Sequence, residues 1–418
     1  MNRREKMSSV KEPIVLDKTV QVLADQMKLQ NEILTAMASG TYYKPKTIGE
    51  ILDVIAAGKA SEVFNIGDQI VITWTDITMG TSYECPCNII AFPTATLQDG
   101  EEVPAMRIQW NYTTPFGVQF DNYEAFYYCE EALLAGTYNV EIGTTYGKNC
   151  VQGTTYQFTL TKDVPAGGQL AGFRYAPDQD PANWKVYSYS SKTATEALET
   201  VAVTEGGGGT NLGVLKTGGD GKLNCIHRVA YGYNRWGQSA CRQWMNSDKG
   251  VGEWWTPQND FDRCPDQLLT KAGFLTGFDE EFRLALTPVK VVTALNKITD
   301  AVGSDVDPLE VTYDKFFSLS LEQMSIRPQL AGEGETCEYW KRASQMSTEM
   351  STGKFYPQII TYKIENHMAA QDVYLRSGYL EHSCSTWYVN SKGYINRNYA
   401  KNTYFHVPAC DLCIRQKH

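Results

Sequence analysis

An α+β fold follows from three features of this chain. Helical apolar spacing marks its start, short alternating segments run from about 93 to 205, and a mixed remainder rich in glycine and aromatics begins at 211. At 418 residues the chain is too long for one small core, so roughly two or three domains are expected. Hydrophobic residues make up 42% of it, ample to fill those cores.

The first element is a helix over 13–40, opening at Pro13 and closing at Gly40. Leu16, Val20, Leu23, Met27, Gln30, Leu34 and Met37 recur in steps of four and three. That is a coiled-coil seam with one polar member, Gln30, to fix register. The competing reading is an amphipathic helix docked on its own body. The terminal position and the scarcity of charge beside the seam favour oligomerisation, so 1–40 is assigned as tail and oligomerisation helix.

Residues 41–92 read as a linker and the first strands of the body, with an apolar helix-like patch at 48–57 and strand signals at 61–64 and 69–74. Residues 93–210 read as a β-rich insertion. Its strands are expected at 107–112, 137–142, 155–161, 170–175 and 185–189, separated by Gly, Pro and Asn turns, a pattern that suits a β-sandwich. A helix-like stretch at 124–134 interrupts it, and the glycines at 206–209 are read as a flexible joint. In the last part, 211–418, short helices are expected at 239–246 and 279–286 and a strand at 289–294. Trp236, Trp244, Trp254, Trp255, Trp340 and Trp387 supply a small aromatic core beneath long loops.

Composition narrows the function. A net charge of −10 argues against a nucleic-acid groove or an anionic membrane surface. No apolar run reaches membrane-spanning length, and no apolar stretch follows the charged start, so neither membrane insertion nor a secretory signal is expected. The 11 cysteines read as reduced thiols. Cys85/Cys87 and Cys410/Cys413 are spaced as halves of a zinc site. The second pair, however, lies in a strand-like run without a glycine turn or histidine, and no metal is expected. Only five histidines are present, and Asp279, Glu280 and Glu281 follow one another on a helix, where neighbours point apart. No enzyme and no cofactor are expected.

Four segments carry a resemblance: YGYNRWGQSACRQWMNSD (231–248), GFLTGFDEEFRLAL (273–286), PVKVVTALN (288–296) and TYDKFFSLSLEQM (312–324). Behind them stand Tyr374-Leu375-Arg376-Ser377, Val389 with Gly393, asparagines from Asn396 to Asn402, and Pro408-Ala409-Cys410. Together they resemble a domain family of phages and prophages of gut Firmicutes, over most of residues 60–418. The ending is similar to C-type-lectin-like domains of the formylglycine-generating-enzyme type, which serve as variable proteins of diversity-generating retroelements. Tyr374 stands where the family has Trp, Phe405 where it has Gly, and His406 where it has Val. The resemblance implies a lectin-like ligand-binding domain over 211–418. The Glu-Pro-Asn, Gln-Pro-Asp and Trp-Asn-Asp motifs of calcium-dependent lectins are absent, and Pro257-Gln258-Asn259-Asp260 lacks their order. The related oxidases use a pair of thiols on Cu(I). Cys384 and Cys410 lie in the corresponding part, but the Arg-rich block of that activity is missing, and a shared fold does not carry chemistry.

Residues 378–406 have the composition of a paratope: Tyr and Arg for contact area, Asn and Ser for adaptable hydrogen bonds. Leu375, Trp387, Val389, Ile395, Ala400 and Pro408 are expected to face inward. The intervening Tyr374, Tyr379, His382, Tyr388, Tyr394, Asn396, Arg397, Asn398, Tyr399, Lys401 and His406 are expected to form the outward ligand-binding face. The function expected is a virion-associated adhesin, a homotrimer that presents a variable surface to a host-cell protein or glycan and contacts other virion proteins. The alternative is a structural virion protein whose lectin-like domain joins subunits.

Overall fold

The computed structural model of the chain describes residue 27 and residues 47–121, 126–129, 131–142, 151–171, 185–191, 194, 196–215, 222–223, 226–229, 234–256, 264–297, 300–301, 305–342, 345–346, 356–382 and 384–414. The helix expected over 13–40 lies outside the described residues except for Met27, which is helical and exposed.

The helix Ile48–Ala56 begins with a reciprocal cap. The Thr47 hydroxyl accepts from the Glu50 amide at 3.2 Å, and the Glu50 carboxylate accepts from the Thr47 amide. It ends where Gly58, at φ +68°, turns the chain so that the Gly58 and Lys59 amides donate to the Ile55 and Val54 carbonyls. Ile51, Leu52 and Ile55 point into the core. The strand expected at 61–64 is instead a helical turn, Ala60–Val63. Ala60 is buried and Phe64, four residues on, packs against the same core, so helical spacing wins over a short alternating pattern.

The body is organised around an antiparallel sheet of Gln69–Asp76, Thr81–Ala91, Met106–Trp110 and Ala409–Leu412, in that order. The last strand returns from the far end of the chain to pair with Met106–Trp110, Ala409 opposite Gln109 and Leu412 opposite Met106. A buried forked ion pair fixes this closure, with Arg107 donating to both Asp411 oxygens at 2.6 and 2.7 Å. The core on one side is aromatic and centres on Phe274. Its ring lies 5.0 to 5.5 Å from those of Trp74, Trp110, Trp244, Phe278 and Phe316.

Two further sheets occupy the middle of the chain. One orders Glu199–Ala202, Lys185–Tyr189, Gln169–Ala171, Phe126–Cys129, Ile226–Val229 and Lys222–Leu223. The other orders Thr204–Glu205, Thr155–Leu160, Gly136–Ile142 and Thr210–Leu215. Both contribute to a second core: Cys129, Leu170 and Val186 from the first meet Val140, Phe158 and Leu212 from the second. That core runs from Cys129 to Val203 and Leu212, whereas Met106–Trp110 and Val118–Gln119, inside the span 93–210 assigned to the insertion, pair with the body.

Two expectations are corrected here. The stretch 124–134 holds the strand Phe126–Cys129, not a helix, because it pairs on both sides, with Gln169–Ala171 and Ile226–Val229. The glycines at 206–209 are not a free joint. They link two strands of one sheet, and the Asn139 side chain donates to the carbonyls of Gly207, Gly208 and Gly209 at 3.1 to 3.3 Å. Gly209 sits at φ +84° with the Thr137 carbonyl 2.0 Å from where a Cβ would be, so only glycine fits.

Helices Ala240–Met245 and Glu280–Ala285 start where expected, capped by the side chains of Ser239 and Asp279. Val289–Ala294 forms a hairpin with Leu309–Asp314.

Candidate functional site

The strands Val373–Gly378, Ser385–Val389 and Ile395–Tyr399 form a three-stranded antiparallel sheet. Trp387 lies opposite Arg397 and Ser385 opposite Tyr399, so these four share one side. Tyr388 opposite Asn396 and Thr386 opposite Asn398 share the other.

The first side reaches solvent. Trp387 is buried, and the half-buried Tyr379 packs edge-on against it at 5.5 Å. The Arg397 guanidinium lies 4.1 Å from the Tyr379 ring centre. The Tyr379 hydroxyl donates to Glu381 at 2.9 Å, and His382 stands 5.6 Å from the same ring. Tyr399 is 48% exposed, with the exposed Lys401 ammonium 5.8 Å from its ring. Partial burial lowers the His382 pKa, Arg397 lowers it further and Glu381 opposes both, so the imidazole is neutral at neutral pH. Burial, then the bond to Glu381, raises the Tyr379 pKa and keeps its hydroxyl a donor. The result is a surface of edge-on and tilted rings, two cations and one carboxylate.

The second side is core, which removes three residues from the expected outward face. Tyr374 is 1% exposed, its hydroxyl shared between the Tyr399 and Asn402 carbonyls at 2.7 and 2.9 Å. Tyr388 is buried with its ring 4.7 Å from that of Tyr404. Burial raises both phenol pKa values. His406 is fully buried, its Nδ1 3.2 Å from the Ser318 hydroxyl, and burial pushes its pKa down to about 3. The physical reason is that Val373–Gly378 is buried at every position and His406 opens the buried run to Cys413, so alternation along these segments does not separate inside from outside.

Asn396 and Asn398 are half-buried, and their side-chain oxygens accept from the next amides, Arg397 at 2.7 Å and Tyr399 at 2.8 Å. This occupies amides on the strand at the edge of the sheet. The Asn398 amide group also donates to the Tyr404 hydroxyl at 2.7 Å. Tyr394 is half-buried after the Gly393 turn. Of the expected residues, Tyr379, His382, Arg397, Tyr399 and Lys401 are therefore brought together. All six residues expected to face inward, Leu375 to Pro408, are buried.

Sequence reasoning missed the groups that hold this surface still. The buried Asn234 side chain donates to the carbonyls of Tyr379, His382 and Ser385 at 2.8 to 3.0 Å, and its own oxygen accepts from Asn296. The Gln329 oxygen accepts from the Leu380 amide and the Trp387 indole, each at 3.1 Å. Deeper, Arg376 is 1% exposed and donates to the Ser318 and Val292 carbonyls, the Gln323 amide oxygen and the Glu333 carbonyl. Asn234 does fall within the 231–248 block, but a polar residue among polar neighbours gives no periodic signal.

Among the described residues no group of three or more His, Cys, Asp and Glu is arranged to hold a metal ion. Cys85, Cys87, Cys410 and Cys413 are buried, and burial pushes the thiols of Cys85 and Cys413 up to about 12.

Residues 219–414 match a family described as a domain of unknown function, DUF6273. The match contains the C-terminal sheet and the closing strand Ala409–Leu412, while the strands that the closing strand completes, within Gln69–Trp110, lie outside it. No curated protein and no solved structure matches the chain.

Proposed function

We propose that the chain is a phage or prophage adhesin whose C-terminal face, built from Tyr379, His382, Arg397, Tyr399 and Lys401, grips a host-cell ligand. One observation carries this reading: a cation–aromatic cluster open to solvent, mounted on a sheet whose back and loop are locked by buried hydrogen bonds. Aromatic and guanidinium groups dominate interface energetics, and a scaffold that fixes them beforehand lowers the entropic cost of binding. The internal worth of the cluster is small, since exposed cation–π pairs contribute about 0.5–1 kcal/mol. It is better suited to holding Arg397 and Tyr379 ready than to stabilising the fold.

The finer fold reading belongs to the same proposal: a C-type-lectin-like body, a β-sandwich-like insertion and a coiled-coil trimer over 13–40. Supporting the lectin-like body is the return of the C-terminal strand to Met106–Trp110, with most function-bearing residues on the connections before it. If the surface is diversified, neighbouring DNA holds a near-copy of the codons for roughly 372–406 differing mainly at adenines, beside a reverse transcriptase gene. Absence of both favours the structural virion protein. The direct test is attachment of labelled protein to a panel of gut Firmicutes, with Arg397, Tyr399 and Lys401 changed together to Ala.

A further inference from the structure

The cation–aromatic cluster contains one histidine. The Tyr379 ring is flanked by the Arg397 guanidinium, 4.1 Å from its centre, and by the His382 ring, 5.6 Å away and tilted by 56°. The half-buried His382 is fixed from behind, because the buried Asn234 side chain donates to the carbonyls of Tyr379 and His382 at 3.0 and 2.8 Å. With those bonds intact, the loop backbone keeps the imidazole beside the ring. The neighbouring Glu381 carboxylate is already engaged, accepting from the Tyr379 hydroxyl at 2.9 Å.

We infer that His382 is an acid switch built into this face: a proton on its imidazole drives Arg397 off the Tyr379 ring and opens the cluster. The consequence, loss of grip in acid, rests on the reading of this face as a binding surface, whereas the opening itself needs no ligand. Partial burial opposes the proton most, Arg397 on Ile395–Tyr399 opposes it next, and Glu381 on the loop itself favours it. The other side chains packed around the pair are neutral: the Tyr379 phenol, the Trp387 indole on the middle strand and the Asn234 amide. Lys401 lies further along, beside Tyr399. At neutral pH His382 therefore gives the cluster a ring and no charge. Once protonated it sets a second cation beside the guanidinium on the same ring. A cation–π contact near the surface holds Arg397 only weakly, and repulsion between like charges in a half-buried setting outweighs it. The charged imidazole also competes with the Tyr379 hydroxyl for Glu381, the bond that orients the phenol. Both effects fall on Tyr379, so one proton disturbs its contacts with Arg397 and Glu381 together.

The test is an NMR titration of the full chain without ligand between pH 7 and pH 5, following the His382 imidazole, the Tyr379 ring and the Arg397 Nε–H. All three are expected to move with one midpoint, below the ordinary 6.5 of a histidine. In His382→Gln the Tyr379 and Arg397 signals are expected to stay in place. Attachment of the native chain to cells should fall about tenfold or more from pH 7 to pH 5 and recover on return. His406→Asn, which alters the buried histidine on the other side of the sheet, should keep that fall. The inference is overturned if Tyr379 and Arg397 stay fixed while His382 titrates, if they move equally in His382→Gln, or if His382 is still neutral at pH 5. Attachment that strengthens in acid, or a fall that disappears in His406→Asn, also overturns it. A native chain that attaches to no cell at pH 7 sinks the adhesin reading instead, and the NMR titration still decides the switch.

Discussion

Tyr374 and Tyr399 come from one polar, tyrosine-rich segment, yet one is 1% exposed and the other 48%. What separates them is the side of the sheet: Tyr374 is on the core side, where its hydroxyl has two carbonyls, and Tyr399 is on the side that reaches solvent. His406 extends the point. Its folded pKa is pushed down to about 3 against an ordinary 6.5, so the folded state holds it neutral. Below the unfolded pKa the unfolded chain takes up a proton that the folded chain refuses, and stability falls as pH falls. The loss begins near pH 6.5, approaches about 1.4 kcal/mol per unit and ends near the folded value. Half-buried His382 acts in the same direction, and Glu333, raised by burial, acts oppositely in a window that opens at its ordinary 4.5 and runs upward, which the comparison of two chains that share Glu333 removes. The measurement is therefore a difference between pH 7 and pH 5. Denaturant midpoints should drop less in His406→Asn than in the native chain, and equal drops would remove His406 as the cause.

At the scale of elements, the loop between Val373–Gly378 and Ser385–Val389 depends on a side chain far away in sequence, Asn234. Asn234→Ala leaves three carbonyls short of a donor, two of them on either side of the loop's His382. It should cost about 1–3 kcal/mol for each buried group left unsatisfied and speed amide exchange across 379–385. Unchanged exchange there would mean that Gln329 alone fixes the loop. The same dependence explains what was legible in the sequence. Elements set by local chemistry were readable: the helix Ile48–Ala56 as an apolar helix-like patch, Ala240–Met245 and Glu280–Ala285 as short helices, and Val289–Ala294 as a strand, the first three with caps that the structure then shows. Elements set by partners were not. Phe126–Cys129 is a strand because two others flank it, and the glycines at 206–209 are ordered by Asn139. At the site, Trp387, Val389 and Ile395 could be placed inward by alternation, but Tyr374, Tyr388 and His406 lie where both sides of the chain are covered.

At the scale of the molecule, the arrangement is one of closure. The last strand joins the first sheet through Arg107 and Asp411, so the C-terminal face is tied to strands some three hundred residues earlier. Removing one partner of such a buried pair strands the other charge at a cost of about 3–5 kcal/mol, so Asp411→Ala should unfold the body well before it alters any surface. The seam over 13–40 adds a separate prediction. Light scattering on the full chain should give a trimer, and a chain starting at Thr41 a monomer; two monomers would end the coiled-coil reading. The central claim, that the face around Arg397 exists to bind, is tested most directly by pairing stability with attachment in one variant. With Arg397, Tyr399 and Lys401 all changed to Ala, each exposed or half-exposed position should cost within about 0.5 kcal/mol, leaving the melting temperature nearly unchanged, while attachment to the cells that bind the native chain is lost. Native-like attachment by that stable triple variant would contradict the account.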